Sequence, residues 1–187
     1  MARFLALHDT LFDRVEHAGA WLYPLVARAV FAATLLVYYW HAGLTKLGDG
    51  VLGLFRPSVG AYAQIFPRQM EAAMYDISQL SAWHWLVALA GTWAELLLPA
   101  LIVLGLATRL AAVGMIGFVV IQSLVDVRGH GMTDADTLGA WFDRFPDAAI
   151  LDQRLFWLFL LGYLVLRGGG ALSLDAALRR RRAGAPG

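Results

Sequence analysis

The chain has 187 residues, of which 59% are hydrophobic and 16% are charged, and its formal net charge is +1. A soluble domain of this length usually carries more charge and interrupts its apolar runs more often. Because the net charge is small and no basic patch is interleaved with aromatic residues, the composition argues against nucleic-acid binding. Cys is absent, which excludes disulfides and Cys-ligated iron–sulfur clusters. The composition favours an integral membrane protein with a single domain.

The N-terminal segment is not typical of a signal peptide, because Asp9, Asp13 and Glu16 interrupt its apolar residues and no cleavage site follows them. Its apolar side chains recur at approximate helical spacing, which predicts a helix lying on the membrane surface. The first membrane span is predicted at about 21–41, where Arg28 is the charged residue.

Three further spans are predicted. The chain is almost continuously apolar from residue 83 to 127, which is too long for one crossing, and Gly105 offers a turn. We therefore expect spans at about 84–106 and 110–127, and a last one at about 153–167. The predicted fold is all-α: a transmembrane four-helix bundle with interfacial N- and C-terminal segments.

The long connections, at about 42–83 and 128–152, are expected to form two structured outer loops, because both contain several aromatic residues and the first is also rich in Gly and Pro. Lys and Arg are more frequent on the side of the chain termini, which includes four consecutive arginines at 179–182. The positive-inside rule then places both termini in the cytoplasm.

Three segments carry a family resemblance. The first, residues 27–47, has an Arg early in the span and ends in Gly-x-x-Lys-Leu. The second, residues 93–114, contains a Glu followed by Leu-Gly-Leu-x-Thr-Arg-Leu. The third, residues 167–178, contains a Gly run followed by Ser-Leu-Asp. In this order they make the sequence similar to the DoxX family of small four-helix bacterial membrane proteins.

The resemblance implies a location in the bacterial inner membrane. Members of the family are associated with thiosulfate:quinone oxidoreduction, with oxidative-stress membrane complexes and with operons for metal-handling peptides. The first loop and the insertion at 128–152 are longer than in the shortest members, so the resemblance implies nothing about the function of these loops.

Arg28 and Glu95 are charged residues within predicted spans. At about 1.5 Å per helical residue, both lie roughly 10–15 Å from the cytoplasmic end of their spans, which predicts an ion pair inside the bundle. The pair either fixes the register of the helices or forms a proton or quinone site, and Gln122 is expected to share the same interior.

Lys46 and Asp126 are predicted to form a polar site at the outer face, where Lys46 extends its ammonium group toward the interface. His41, His84 and His130 fall at the outer ends of the first three spans, with Asp126 at a similar level. Imidazole and carboxylate groups are preferred ligands of Zn and Cu, so these residues are candidate metal ligands. The alternative is that they belong to the interfacial aromatic belt.

Three functions remain open from the sequence. The first is a redox-linked accessory or subunit of a membrane complex that contacts a quinone, with other membrane or periplasmic subunits as partners. The second is a small transporter or a metal-homeostasis protein, and the third is a non-catalytic scaffold. Homo-oligomerisation is possible in each case, and the sequence does not decide whether the chain is an enzyme.

Overall fold

The computed structural model describes residues 1–184, apart from the side chains at positions 2, 3 and 5–7. Four helices are long and apolar enough to cross a membrane: His8–Lys46, Ala82–Leu104, Thr108–Gly129 and Ala149–Arg167. Within the described range the chain forms helices, turns and loops, and it contains no strand. The predicted all-α fold with four membrane-spanning helices is confirmed.

The first span is part of one long helix. It consists of α1 (Ala2–Phe31), a π-helical turn (Ala32–Leu36) and α2 (Val37–Lys46), which follow one another without a break. Such a helix is about twice as long as the hydrocarbon core of a bilayer is thick, and residues 8–18 are exposed throughout. The N-terminal segment is helical, as its apolar spacing predicts, and it continues directly into the span without a break.

The next two spans are joined by a tight turn. Helix α5 (Ala82–Leu104) ends at Gly105, whose φ of 69° is left-handed, and the Leu106 amide closes the turn on the Leu101 carbonyl at 2.9 Å. Glycine suits this position because a side chain would be strained there. Helix α6 (Thr108–Leu124) begins directly after the turn and continues through a π-helical turn, Val125–Gly129.

The fourth span begins with a π-helical turn, Ala149–Gln153, and continues as α8 (Arg154–Arg167). Helix α6 packs against α5 and α8, while α2 packs against α5 and α1 against α8. The four spans thus form an up-and-down bundle. Its core contains mostly large apolar side chains, namely Phe31, Leu35, Tyr39, Ile102, Met115, Val119, Leu161 and Leu164.

The two ends of the bundle differ. We call the end with the Gly105 turn the turn end, and the end with the two long connections the loop end. The first connection contains two short helices, α3 (Val59–Ile65) and α4 (Pro67–Ala72), and 3₁₀ turns at Val51–Leu54 and Ile77–Gln79.

Tryptophans of α5 attach the first connection to the bundle. The Trp85 and Trp93 indoles each donate a 3.0 Å hydrogen bond, to the Phe55 and Leu54 carbonyls respectively. The second connection contains α7 (Ala135–Leu138), which packs on the π turn of the fourth span. Both connections are therefore structured parts of the loop end.

The turn end is closed by polar contacts. The last helix, α9 (Leu174–Ala183), begins at Ser173, whose hydroxyl accepts a hydrogen bond from the Ala176 amide. Asp175 accepts hydrogen bonds from the Ala107 and Thr108 amides at 2.7 and 2.9 Å, and so caps the start of α6. These bonds join α9 to the α5–α6 turn, because backbone amides at a helix start have no partner within the helix.

Candidate functional site

A cavity of about 800 Å³ lies inside the bundle, in the half toward the loop end. Small residues leave the space open: Ala90, Gly91 and Ala94 on α5 face Gly114 and Gly117 on α6. A side chain added at Gly117 would meet no atom within 4 Å. The walls are mainly apolar, but several polar and charged side chains line them, as in ligand-binding cavities.

Lys46 and Glu95 form an ion pair at the cavity. The Lys46 ammonium nitrogen Nζ lies 2.5 and 2.7 Å from the two carboxylate oxygens of Glu95, and each side chain is 7% exposed. Both charges are removed from water, so each depends on the other to offset the cost of burial. The pair joins the end of the first span to the middle of the second.

The expected pairing of Glu95 with Arg28 is wrong, and so is the placement of Lys46 at the interface. Helical side chains lean toward the N-terminus of their own helix. The first helix runs from the turn end to the loop end, so the side chains of Arg28 and Lys46 both lean toward the turn end. Helix α5 runs the opposite way, so the side chain of Glu95 leans toward the loop end and meets that of Lys46. Arg28 instead donates hydrogen bonds to carbonyl oxygens at the turn end, on Ile102, Val103, Gly169 and Leu172.

A second ion pair lines the same cavity. Arg154 donates from Nη2 to the Asp126 carboxylate at 2.6 Å and from Nη1 to the Ser123 hydroxyl at 2.9 Å. The Arg154 side chain is 8% exposed, and its Nε, which is buried, has no hydrogen-bond partner among the described residues. An unpaired buried donor is costly, and the two bonds to Ser123 and Asp126 help to offset that cost.

Gln122 links two tyrosines beside these pairs. Its side-chain nitrogen donates to the Tyr38 hydroxyl at 3.0 Å, and its carbonyl oxygen accepts from the Tyr39 hydroxyl at 3.3 Å. Because the Tyr38 oxygen acts as the acceptor, its own proton remains free to donate. Gln122 and Glu95 therefore line the same cavity, and Arg28 does not.

Each of the π-helical turns lies next to the cavity. One precedes Tyr38 and Tyr39, another contains Asp126, and the third ends immediately before Arg154. A π turn inserts an extra residue into a helix and so changes the direction of the side chains that follow, and such turns are frequent at functional sites. Their positions favour the cavity as the functional site of the bundle.

The three histidines do not form a metal site with each other. His84 caps α5, since its Nδ1 accepts a 3.2 Å hydrogen bond from the Ser81 amide. His130 lies at the cavity, where its Nε2 is 2.9 Å from the Gln64 carbonyl oxygen and therefore carries the proton. His41 is exposed. Within residues 1–184, no group of three or more His, Asp or Glu side chains is placed to hold a metal ion.

Sequence reasoning missed Tyr38, Tyr39 and Arg154. The tyrosines lie within the predicted first span and Arg154 at the start of the predicted fourth span, but none of the three was assigned to a site. A signal was present for Arg154, because a segment of about 15 residues is too short to cross a bilayer unless the helix begins earlier. Extending that span by one turn would have moved Arg154 from its end toward the interior of the bundle.

Together, the four spans and their polar interior define a multi-pass membrane protein that lies in a lipid bilayer. The family model described as DoxX matches residues 23–125, which is more than half of the chain. The protein belongs to the DoxX family. The match includes both members of the Lys46–Glu95 pair and ends one residue before Asp126. No curated protein and no solved structure was found to be similar to the chain.

The coupling of Lys46 and Glu95 can be measured with a double-mutant cycle. Lys46→Met or Glu95→Leu alone leaves one buried charge unpaired, and each is expected to lower the free energy of unfolding by about 3–5 kcal/mol. The double variant removes both charges and is expected to lose less than either single variant. Unfolding in detergent, followed by tryptophan fluorescence, provides the comparison, with the exposed Glu71→Gln as control. Additive losses in the double variant would show that the two charges do not stabilise each other.

Proposed function

We propose that the cavity binds a quinone and that the protein is an accessory or subunit of a redox-linked membrane complex. The observation that carries the proposal is the apolar cavity itself, whose wall contains the buried Lys46–Glu95 and Arg154–Asp126 ion pairs. The family resemblance supports the same class of ligand.

The cavity has a suitable size and lining. Sites for small organic ligands are commonly about 300–1,000 Å³, apolar in most of their wall, with a few polar groups that set the orientation of the ligand. The volume here is about 800 Å³, and the aromatic rings of Tyr38 and Phe118 form part of the wall. A ring with an apolar tail therefore fits better than a hydrophilic solute.

The Tyr38 hydroxyl offers a donor for a ligand oxygen. Because its oxygen accepts a hydrogen bond from Gln122, its own proton is free to donate. A quinone has two carbonyl oxygens, which only accept hydrogen bonds. Tyr38 can thus bind one of them without giving up its bond to Gln122.

The carboxylates of Glu95 and Asp126 line the same cavity, each beside a cation. A quinone supplies a two-electron, two-proton acceptor when it is bound. Glu95 Oε1 and Asp126 Oδ2 are the atoms of this chain that we expect to hold and release protons there. Each oxygen can accept a proton only when its contact with the cation loosens, because the neighbouring positive charge favours the ionised carboxylate.

Because Cys is absent, a Cys-ligated cluster cannot deliver the electrons, and we place the electron donor on a partner subunit.

Replacement of Tyr38 by Phe tests the contact. Tyr38→Phe removes the hydroxyl and keeps the ring, and we expect the Kd for a short-chain ubiquinone analogue to rise about 3- to 10-fold, the loss of one hydrogen bond. Quenching of tryptophan fluorescence in detergent measures the binding. Tyr163→Phe is the matched control, because Tyr163 lies on α8 outside the cavity lining. Absence of quinone binding by the folded wild-type protein would refute the proposal, and equal Kd values for all three proteins would exclude Tyr38 as a contact.

We also propose that the protein lies in the bacterial inner membrane with both termini in the cytoplasm. The turn end carries Arg109, Arg167 and the arginines of α9, while the second connection at the loop end carries Asp134, Asp136, Asp143 and Asp147. Positively charged residues near span ends are retained on the cytoplasmic side.

Fusion of reporters to the C-terminus tests this orientation. Green fluorescent protein fused there is expected to be fluorescent, and alkaline phosphatase fused at the same position is expected to be inactive, because the first folds in the cytoplasm and the second in the periplasm. Fusions within the second connection, at Met132, provide the matched comparison and should give the opposite pair of results. Phosphatase activity at the C-terminus would contradict the proposed orientation.

A further inference from the structure

A second cavity, of about 320 Å³, lies at the turn end, separate from the polar cavity of the bundle. Arginines of three helices line it: Arg109 on α6, Arg167 on α8 and Arg179 on α9. The proposed quinone site does not involve any of them. Three guanidinium groups around one small cavity form a concentrated positive charge at this end of the bundle.

The Gly run after α8 makes this arrangement possible. Gly168 has a left-handed φ of 72°, which ends the helix. A side chain at Gly169 would lie 2.6 Å from the Thr108 hydroxyl oxygen and 2.8 Å from the Ser173 Cβ, so only glycine allows this close approach. The end of α8 therefore packs directly against the starts of α6 and α9, which brings the arginines together.

The positive charge of the cavity is only partly neutralised from within. None of the three guanidinium groups forms an ion pair among residues 1–184. The arginine and lysine ion pairs in this range are Arg154–Asp126 and Lys46–Glu95. Asp175 is the carboxylate that lines the cavity, and it is bound to the Ala107 amide and to the Thr108 amide and hydroxyl. Burial by itself would raise the pKa of Asp175, but these hydrogen bonds and the positive charge of Arg179 outweigh it and hold the pKa below its ordinary value. One carboxylate thus stands against three guanidinium groups.

The cavity lies at the boundary between the apolar surface and the basic surface. Leu104, Leu110 and Leu166 are 54%, 76% and 75% exposed next to it, as expected of side chains that face lipid tails. The arginines of α9 follow on the other side. Phospholipid headgroups lie at this level of a bilayer, and basic pockets between spans are known sites for their phosphates.

We propose that the turn-end cavity binds a phosphate group, which Arg109, Arg167 and Arg179 hold by charge-assisted hydrogen bonds. Guanidinium groups match the geometry of phosphate oxygens, and several of them around one cavity favour a phosphate over a carboxylate. An anionic phospholipid headgroup and free phosphate are both sources of this chemistry. The adjacent apolar surface favours the lipid.

Lipid binding to the purified full-length chain tests the proposal. Native mass spectrometry would measure the affinity for three probes: phosphatidylglycerol, a galactosyl diacylglycerol without phosphate, and inorganic phosphate. We expect the double variant Arg109→Gln/Arg167→Gln to bind phosphatidylglycerol at least about tenfold more weakly than the wild type, the factor for loss of charge-assisted contacts. Arg181→Gln/Arg182→Gln is the matched control, since it removes the same charge from residues outside the cavity.

The probes separate the possible sources of the phosphate. Binding of phosphatidylglycerol but not of the galactolipid, with loss in the Arg109/Arg167 variant alone, supports a lipid phosphate. Binding of inorganic phosphate with the same dependence on Arg109 and Arg167, but without lipid retention, supports free phosphate. Equal retention of both lipids, or equal loss in the two double variants, would overturn the proposal. Quinone binding measured on the same variants keeps this result separate from the proposal for the bundle cavity.

Discussion

The Lys46–Glu95 ion pair is the constraint on which the interior of this protein depends. Neither charge is stable alone in the bilayer, so the last turn of α2 has to lie beside the middle of α5. One face of the first helix then points inward from Arg28 through Phe31, Leu35 and Tyr39 to Lys46, at the spacing of helical turns. This register places Tyr39 next to Gln122. The small residues of α5 and α6 leave the cavity open beside the ion pair.

The two ends of the bundle use polar groups for different purposes. At the turn end, Arg28 and Asp175 bind backbone carbonyls and amides, and in this way satisfy helix ends that would otherwise be unpaired. At the loop end, Arg154 keeps a donor without a partner, and π turns redirect the helices around the cavity. The contacts of Arg28 and Asp175 therefore serve stability, whereas the interior toward the loop end forms an apolar cavity lined by a few polar groups, which is the property of a binding site.

Much of the fold follows from the sequence because the length and position of apolar segments are determined by the bilayer. The four spans, the Gly105 turn and the presence of Glu95 in the interior could all be predicted in this way. The partner of Glu95 could not be predicted from the depth of each residue in its span alone. Such a depth locates the backbone, whereas the side chain extends from it toward the N-terminus of its own helix. The depth of Arg154 was missed for a different reason: it lay at the end of the predicted span, whereas a π turn extends the fourth span beyond its apolar segment, and no simple residue pattern indicates a π turn.

The central question about this protein is whether the bundle cavity is a ligand site or a packing defect. A cryo-electron microscopy map of the protein, purified in nanodiscs with its native lipids, answers this question most directly. We predict planar density in the cavity, within hydrogen-bonding distance of the Tyr38 hydroxyl. A cavity that contains only acyl-chain density, or one that is closed by inward movement of α5 and α6, would contradict this prediction.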